Sequence, residues 1–146
     1  MVELCSDRDK NKLHNYKTSQ LHNFTTKKNE IMVFEDLFIW KSARILVNEI
    51  YKLMYNCKDY GFRDQLQRAT ISIMNNIAEG CNSGSNSKYI YFLRIARGSC
   101  AEVNSMLYLC EDFNYCTSKK RCDVQKEVNK ISKGCLTIIN MLKNKD

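Results

Sequence analysis

From Asp36 to about Cys57 the apolar residues of this chain recur at steps of three and four. Trp40, Ala43, Val47, Ile50, Met54 and Cys57 form the stripe, and Ile39, Leu46 and Leu53 widen it. That period predicts an amphipathic helix. Asp36 stands in the N-cap position, and Asp59-Tyr60-Gly61 is expected to end the helix with Gly61 at C′. A second helix is expected from about Phe62 to Cys81. Residues Asn82 to Ser87 form a turn rich in serine, glycine and asparagine, where Ser85 or Ser87 can cap a third helix. That helix continues to about Asp112, with Tyr89, Phe92, Ala96, Ser99, Val103, Met106 and Cys110 in heptad-like spacing. After a short loop at 113–118, Val124, Val128, Ile131, Cys135, Ile138 and Leu142 mark a fourth helix. No segment alternates like a strand, and nothing repeats. The pattern predicts an all-α fold, an antiparallel up-down-up-down four-helix bundle over residues 32–146. Residues 1–31 are polar and aperiodic and are expected to form a flexible tail.

Helical faces refine this. At about 100° per residue, Gln65, Arg68, Ser72, Asn75, Asn76 and Glu79 of the second helix share one polar arc. The remaining arc of roughly 200° is mostly apolar, wider than the ~100° stripe that one core requires. It predicts that the second helix touches something beyond its own bundle. The third helix carries a strip of small residues, Gly98, Ala101 and Ser105, flanked by Tyr91 and Leu109. A glycine inside a helix costs about 1 kcal/mol relative to alanine, and close approach by another helix would offset that. Self-association through this strip is the simplest expectation. Asn76 and Glu79 read as part of a polar seam that fixes register where helices pack.

Composition agrees with long helices, because the chain has no proline and only five glycines. No apolar run is long enough to span a membrane, and the first residues lack the apolar core of a secretory signal, so a cytoplasmic location is expected. The eight cysteines include no Cys-x-x-Cys. Cys57, Cys100, Cys110 and Cys135 fall on apolar stripes, where cysteine behaves as a small hydrophobe. Core packing in a reducing compartment is the expectation, with no bound metal and no cofactor.

The net charge of +7 is unevenly distributed. Residues 1–31 carry six basic and four acidic groups, residues 32–112 nine of each, and residues 113–146 eight basic and three acidic. The excess therefore concentrates in the fourth helix. Lys126, Lys130 and Lys133 step down the side opposite its apolar stripe, and Lys119, Lys120 and Arg121 precede them. Cations at a helix N-terminus oppose the macrodipole, so phosphate binding is the reading that gives this cluster a purpose. An ordinary solvated lysine face is the alternative. Catalysis has little to draw on. The only histidines, His14 and His22, precede the expected bundle, no Glu-x-x-His pair occurs, and "GCNSGS" lacks the strand-loop-helix context of a phosphate loop.

The segments "FEDLFIWKSARILVNEIYKL" (34–53), "QLQRATISIMNNIAEG" (65–80) and "FLRIARGSCAEV" (92–103) resemble the four-helix-bundle proteins encoded by intervening sequences of bacterial 23S rRNA genes. That family is also known as the S23 ribosomal proteins, and the accessory protein of diversity-generating retroelements is a relative. The similarity runs from about Phe34 to Leu142 and is weakest in the fourth helix. It implies a left-handed bundle assembled into a homopentameric ring, no enzymatic activity, and binding of structured RNA or DNA. The Asn-Ile-Ala-Glu-Gly signature falls on Asn76 to Gly80, the Ala-Arg-Gly-Ser signature on Ala96 to Ser99, and the glutamate that follows is Glu102. Met74 and Asn75 stand where the family has proline and serine, which predicts a straighter second helix. Gln67 replaces a second arginine beside Arg68, and Lys88 replaces an acidic capping residue.

The missing arginine moves the expected nucleic-acid contacts to the fourth helix: Lys119, Lys120, Arg121, Lys126, Lys130 and Lys133, with Arg94 and Arg97 as secondary candidates. Two other classes stay open. A protein scaffold could recruit a partner such as a reverse transcriptase, and a nucleic-acid-processing enzyme could use Glu79 or Glu102.

Overall fold

The computed structural model describes residues 33–144. The expected tail at 1–31, with both histidines, lies outside them. A short 3-10 turn, Phe34–Asp36, leads into four α-helices: α1 (Phe38–Leu53), α2 (Tyr60–Cys81), α3 (Asn86–Asp112) and α4 (Ser118–Lys143). The described residues contain no strand. Each helix packs on its neighbour in sequence, and α4 closes the bundle against α1. Partners descend along one helix as they ascend along the other, Ser72 meeting Ser99 and Gly80 meeting Phe92, so the helices are antiparallel. The all-α, four-helix expectation holds.

The predicted stripes supply the core. Leu46, Ile50, Leu66, Ile73, Ile77, Val103, Val124, Val128 and Ile131 are all essentially inaccessible to water. Three of the four helices begin with a side-chain N-cap, of which Ser85 is the expected one. Asp59 accepts from the Phe62 amide at 3.1 Å, Ser85 from the Lys88 amide at 3.3 Å, and Thr117 from the Lys120 amide at 3.2 Å. The Ser85 cap therefore survives the loss of the acidic residue at position 88.

Helix α1 departs from expectation at both ends. Its N-cap is Leu37, with no side-chain cap, and Asp36 belongs to the preceding 3-10 turn. Apolar packing sets this start: Leu37 is buried, and the Phe34 ring meets Trp40 edge-on at 5.0 Å. At the other end α1 stops at Leu53: Met54 makes the last i→i−4 bond, to the Ile50 carbonyl at 2.9 Å, with its side chain fully buried in the core, and Tyr55 turns to the Lys52 carbonyl instead. Cys57 is thus off the helix and only half-buried, with its thiol on the Asp59 carbonyl. Gly61 is not a C′ residue but lies in the first turn of α2, since Asp59 caps that helix. The left-handed backbone positions among the described residues are Gly84 (φ 76°) and Asn114 (φ 59°), both in turns.

The wide apolar arc of α2 is absorbed within the chain. Helix α2 packs on α1, on α3 and on the 3-10 turn, and Ile71, Met74 and Ala78 are half-buried rather than exposed. Close helix approach occurs elsewhere. A Cβ built on Gly134 would collide with Ile39 Cγ2, so α4 meets α1 through a bare backbone. Around Gly98, by contrast, a Cβ would meet nothing within 4 Å.

Cys100, Cys110 and Cys135 are buried in the core, as their place on the stripes requires. Burial pushes the thiols of Cys100 and Cys110 up to about 12, and raises that of Cys135 still further. Two measurements test this packing. Gly134→Ala, which raises helix propensity, should nevertheless destabilise the bundle by about 1–3 kcal/mol in urea unfolding, because the added methyl collides with Ile39. Iodoacetamide at neutral pH, read by mass spectrometry, should leave Cys100, Cys110 and Cys135 unmodified until denaturant is added, since protonated buried thiols are inert.

Candidate nucleic-acid interface

Helix α4 turns Val124, Val128, Ile131 and Cys135 inward, which fixes its rotation and sends Lys119, Lys126, Lys130 and Lys133 outward. The four lysines share one outer face. Lys126 lies 3.6 Å from Asp123 and Lys130 3.5 Å from Glu127. Such exposed i,i+3 pairs contribute only about 0.2–0.5 kcal/mol, so a phosphate can displace them. Lys119 and Lys133 make no ion pair with a described residue. Lys130 also extends over the Phe38 ring, 5.0 Å from its centroid.

Lys120 and Arg121 are placed differently, although they adjoin Lys119 in sequence. Lys120 Nζ is paired with Glu49 of α1. Arg121 donates through Nε to Glu111 of α3 and through its terminal amine to Gln125 Oε1 at 2.7 Å. Its guanidinium lies 4.6 Å from the Tyr108 ring centroid. The Glu111 carboxyl is held below its ordinary range by the Arg121 hydrogen bond. Arg121 is only 15% exposed, so it ties the start of α4 to α3 rather than standing free. Both partners come from other helices, which a reading of local sequence does not reveal.

Arg94 is exposed, while Arg97 is half-buried, with Nε 3.4 Å from Ser132 Oγ of α4, the residue before Lys133. Below it Asn104 Nδ2 donates to Asn129 Oδ1 at 2.8 Å, and Gln125 Nε2 to the Asn104 carbonyl at 3.1 Å. These contacts form a polar ladder between α3 and α4. A second ladder joins α2 to α3. Ser72 Oγ meets Ser99 Oγ at 2.9 Å, Asn76 Nδ2 donates to the Ser72 carbonyl at 2.8 Å, and Gln65 donates to Glu102. Arg68 donates to Gln65 Oε1 at 3.0 Å.

Between the two ladders lies the open outer face of α3. Gly98, Ala101 and Ser105 are exposed there, flanked by Tyr91 and Leu109, and no helix of the described chain covers them. Glu79 is also exposed and lines a shallow groove with Asn75, Lys88 and Tyr91.

Sequence reasoning missed the cations of α1. Lys41, Arg44 and Lys52 are all exposed, whereas Glu49, the only carboxylate of α1, is turned to α4. A helical projection of the first helix would have gathered these three on one arc, with Glu49 at its edge beside Lys52. Among the described residues no three histidine, cysteine, aspartate or glutamate side chains could hold a metal. No described helix is long and apolar enough to cross a membrane.

Residues 35–137 match the 23S rRNA-intervening sequence proteins. Among solved structures, the chain is similar to a protein of unknown function from the S23 ribosomal protein family of Bacteroides thetaiotaomicron VPI-5482. The two are 25% identical, with a TM-score of 0.65, over 69% of this chain and 97% of that one. No functionally curated protein matches. A helical bundle with these signatures, matched over most of its length, belongs to the 23S rRNA-intervening sequence protein family.

Proposed function

We propose that this protein is a non-enzymatic bundle that binds structured RNA through the outer face of α4. One observation carries the reading: Lys119, Lys126, Lys130 and Lys133 stand on a single exposed face, with only local i,i+3 ion pairs and, for Lys130, the Phe38 ring as partners. Arg97 extends that surface across the α3–α4 seam, and Arg94 stands exposed at the end of the small strip of α3 as a secondary contact. Lys120 and Arg121 secure the helix that presents it. The family's link to rRNA genes makes RNA the first ligand to try.

Self-assembly belongs to the same proposal. The small strip of α3 is open, and Tyr91 and Leu109 beside it are exposed in the single chain. A ring, such as a homopentamer, would cover the strip and repeat the basic face around its rim. The strip would equally suit a protein partner such as a reverse transcriptase, and self-association is the simpler occupant.

Two experiments test these assignments. Fluorescence anisotropy with a structured rRNA fragment should show affinity falling steeply with salt. The Lys126→Gln, Lys130→Gln, Lys133→Gln triple variant should flatten the slope of log K against log salt by about one unit per lost contact. An unchanged slope sinks the assignment to α4. In sedimentation velocity the unaltered protein should run as an oligomer, and Ala101→Glu should reduce it to monomer with its helical circular dichroism intact. A wild-type monomer, or an Ala101→Glu oligomer, removes the strip as the interface.

A further inference from the structure

We propose that the outer face of α1 is a second nucleic-acid site, specific for single-stranded RNA. Tyr51 and Tyr55 stack on bases there, while Lys41, Arg44 and Lys52 hold the neighbouring phosphates. The proposal rests on the RNA-binding reading above but assigns a different surface and a different form of the ligand.

The rotation of α1 is fixed by its buried residues, Ile39, Ala43, Leu46 and Ile50. Everything opposite them faces water. That face carries three cations and no carboxylate, because Glu49 is turned to α4 and paired there with Lys120. Lys41, Arg44 and Lys52 form no ion pair with any described residue. A merely solvated helix interleaves charges of both signs; this one presents a single sign.

Apolar surface lies among the cations. Tyr55, in the turn after α1, is 83% exposed, Ile45 68% and Tyr51 44%. Tyr51 lies in the last turn of α1 and Tyr55 in the turn just beyond it, so the two rings flank the same end of the helix. One ring can therefore meet a base and the other a base further along the same strand. Arg44 already lies 5.9 Å from the Trp40 ring centroid, at the other end of the face.

Chemistry selects the occupant. Cations interleaved with exposed rings suit a polyanion that also offers flat apolar faces, and unpaired nucleotides do so. A duplex offers phosphates but keeps its base faces stacked inside. A two-fold contact between copies through this face would set the three cations against their own images, and a ring neighbour seated on it would show as a changed sedimentation mass in the tyrosine variant.

The experiment compares a labelled single-stranded RNA with the same sequence in duplex form, by anisotropy, on the full chain. Tyr51→Ala with Tyr55→Ala should weaken single-strand binding about tenfold or more and leave duplex binding unchanged, whereas the double phenylalanine variant should keep wild-type affinity. Lys41→Gln, Arg44→Gln, Lys52→Gln should flatten the single-strand salt slope by about two units. Both tyrosines are exposed, and circular dichroism checks that the variants are folded. The proposal is overturned if the tyrosine variant binds single strands normally, if it loses duplex affinity equally, or if its sedimentation mass changes. The α4 lysine variant separates the two readings. Loss of duplex binding with single-strand binding intact supports both. If single-strand binding depends on the tyrosines while the α4 variant is silent, this inference stands and the α4 assignment falls.

Discussion

The bundle depends on α4 closing against α1. Gly134 makes that contact possible, because any side chain at this position would overlap Ile39. Once the two backbones are this close, Lys120 reaches Glu49 at the far end of the same junction. That ion pair is partly exposed and adds little stability by itself. Its larger effect is electrostatic. It withdraws one carboxylate from the surface of α1 and one cation from the surface of α4, so packing decides which charges either helix shows to a partner.

Helix α3 holds the centre of the arrangement in another way. It has polar ladders on both flanks, Ser72–Ser99 and Gln65–Glu102 towards α2, and Arg97–Ser132 and Asn104–Asn129 towards α4. Apolar stripes tolerate sliding by a turn, but a shift would break the part-buried Ser72–Ser99 and Arg97–Ser132 pairs and leave those groups short of partners. The ladders fix register, and with it the level at which Arg97 stands beside Lys133. They also leave the outermost face of α3 free of long side chains at Gly98, Ala101 and Ser105.

Much of this was legible in the sequence. The stripes of α2, α3 and α4 gave their helices and core positions, since burial on one face imposes the helical period directly. The start and end of α1 were misread because Leu37 and Met54 are placed by tertiary packing, which outweighs the capping chemistry of Asp36 and Gly61. The outward lysines of α4 were visible as a spacing pattern. The engagement of Lys120 and Arg121 was not, since Glu49 and Glu111 lie on other helices and come near only when the bundle forms. Glycine was similarly ambiguous. Gly98 drew attention by its neighbours, yet Gly80 and Gly134 are the ones pressed against another helix within the chain.

The order of packing has a kinetic consequence. Helices α1 to α2, α2 to α3 and α3 to α4 meet across short connections and can dock as each hairpin forms. The Ile39–Gly134 contact instead joins the two ends of the described chain, so it carries the largest loop-closure entropy in the fold. Local contacts of the first kind favour rapid folding. By sequence separation alone the closing junction is the contact expected to form last, and Glu49 stays at the surface until it does.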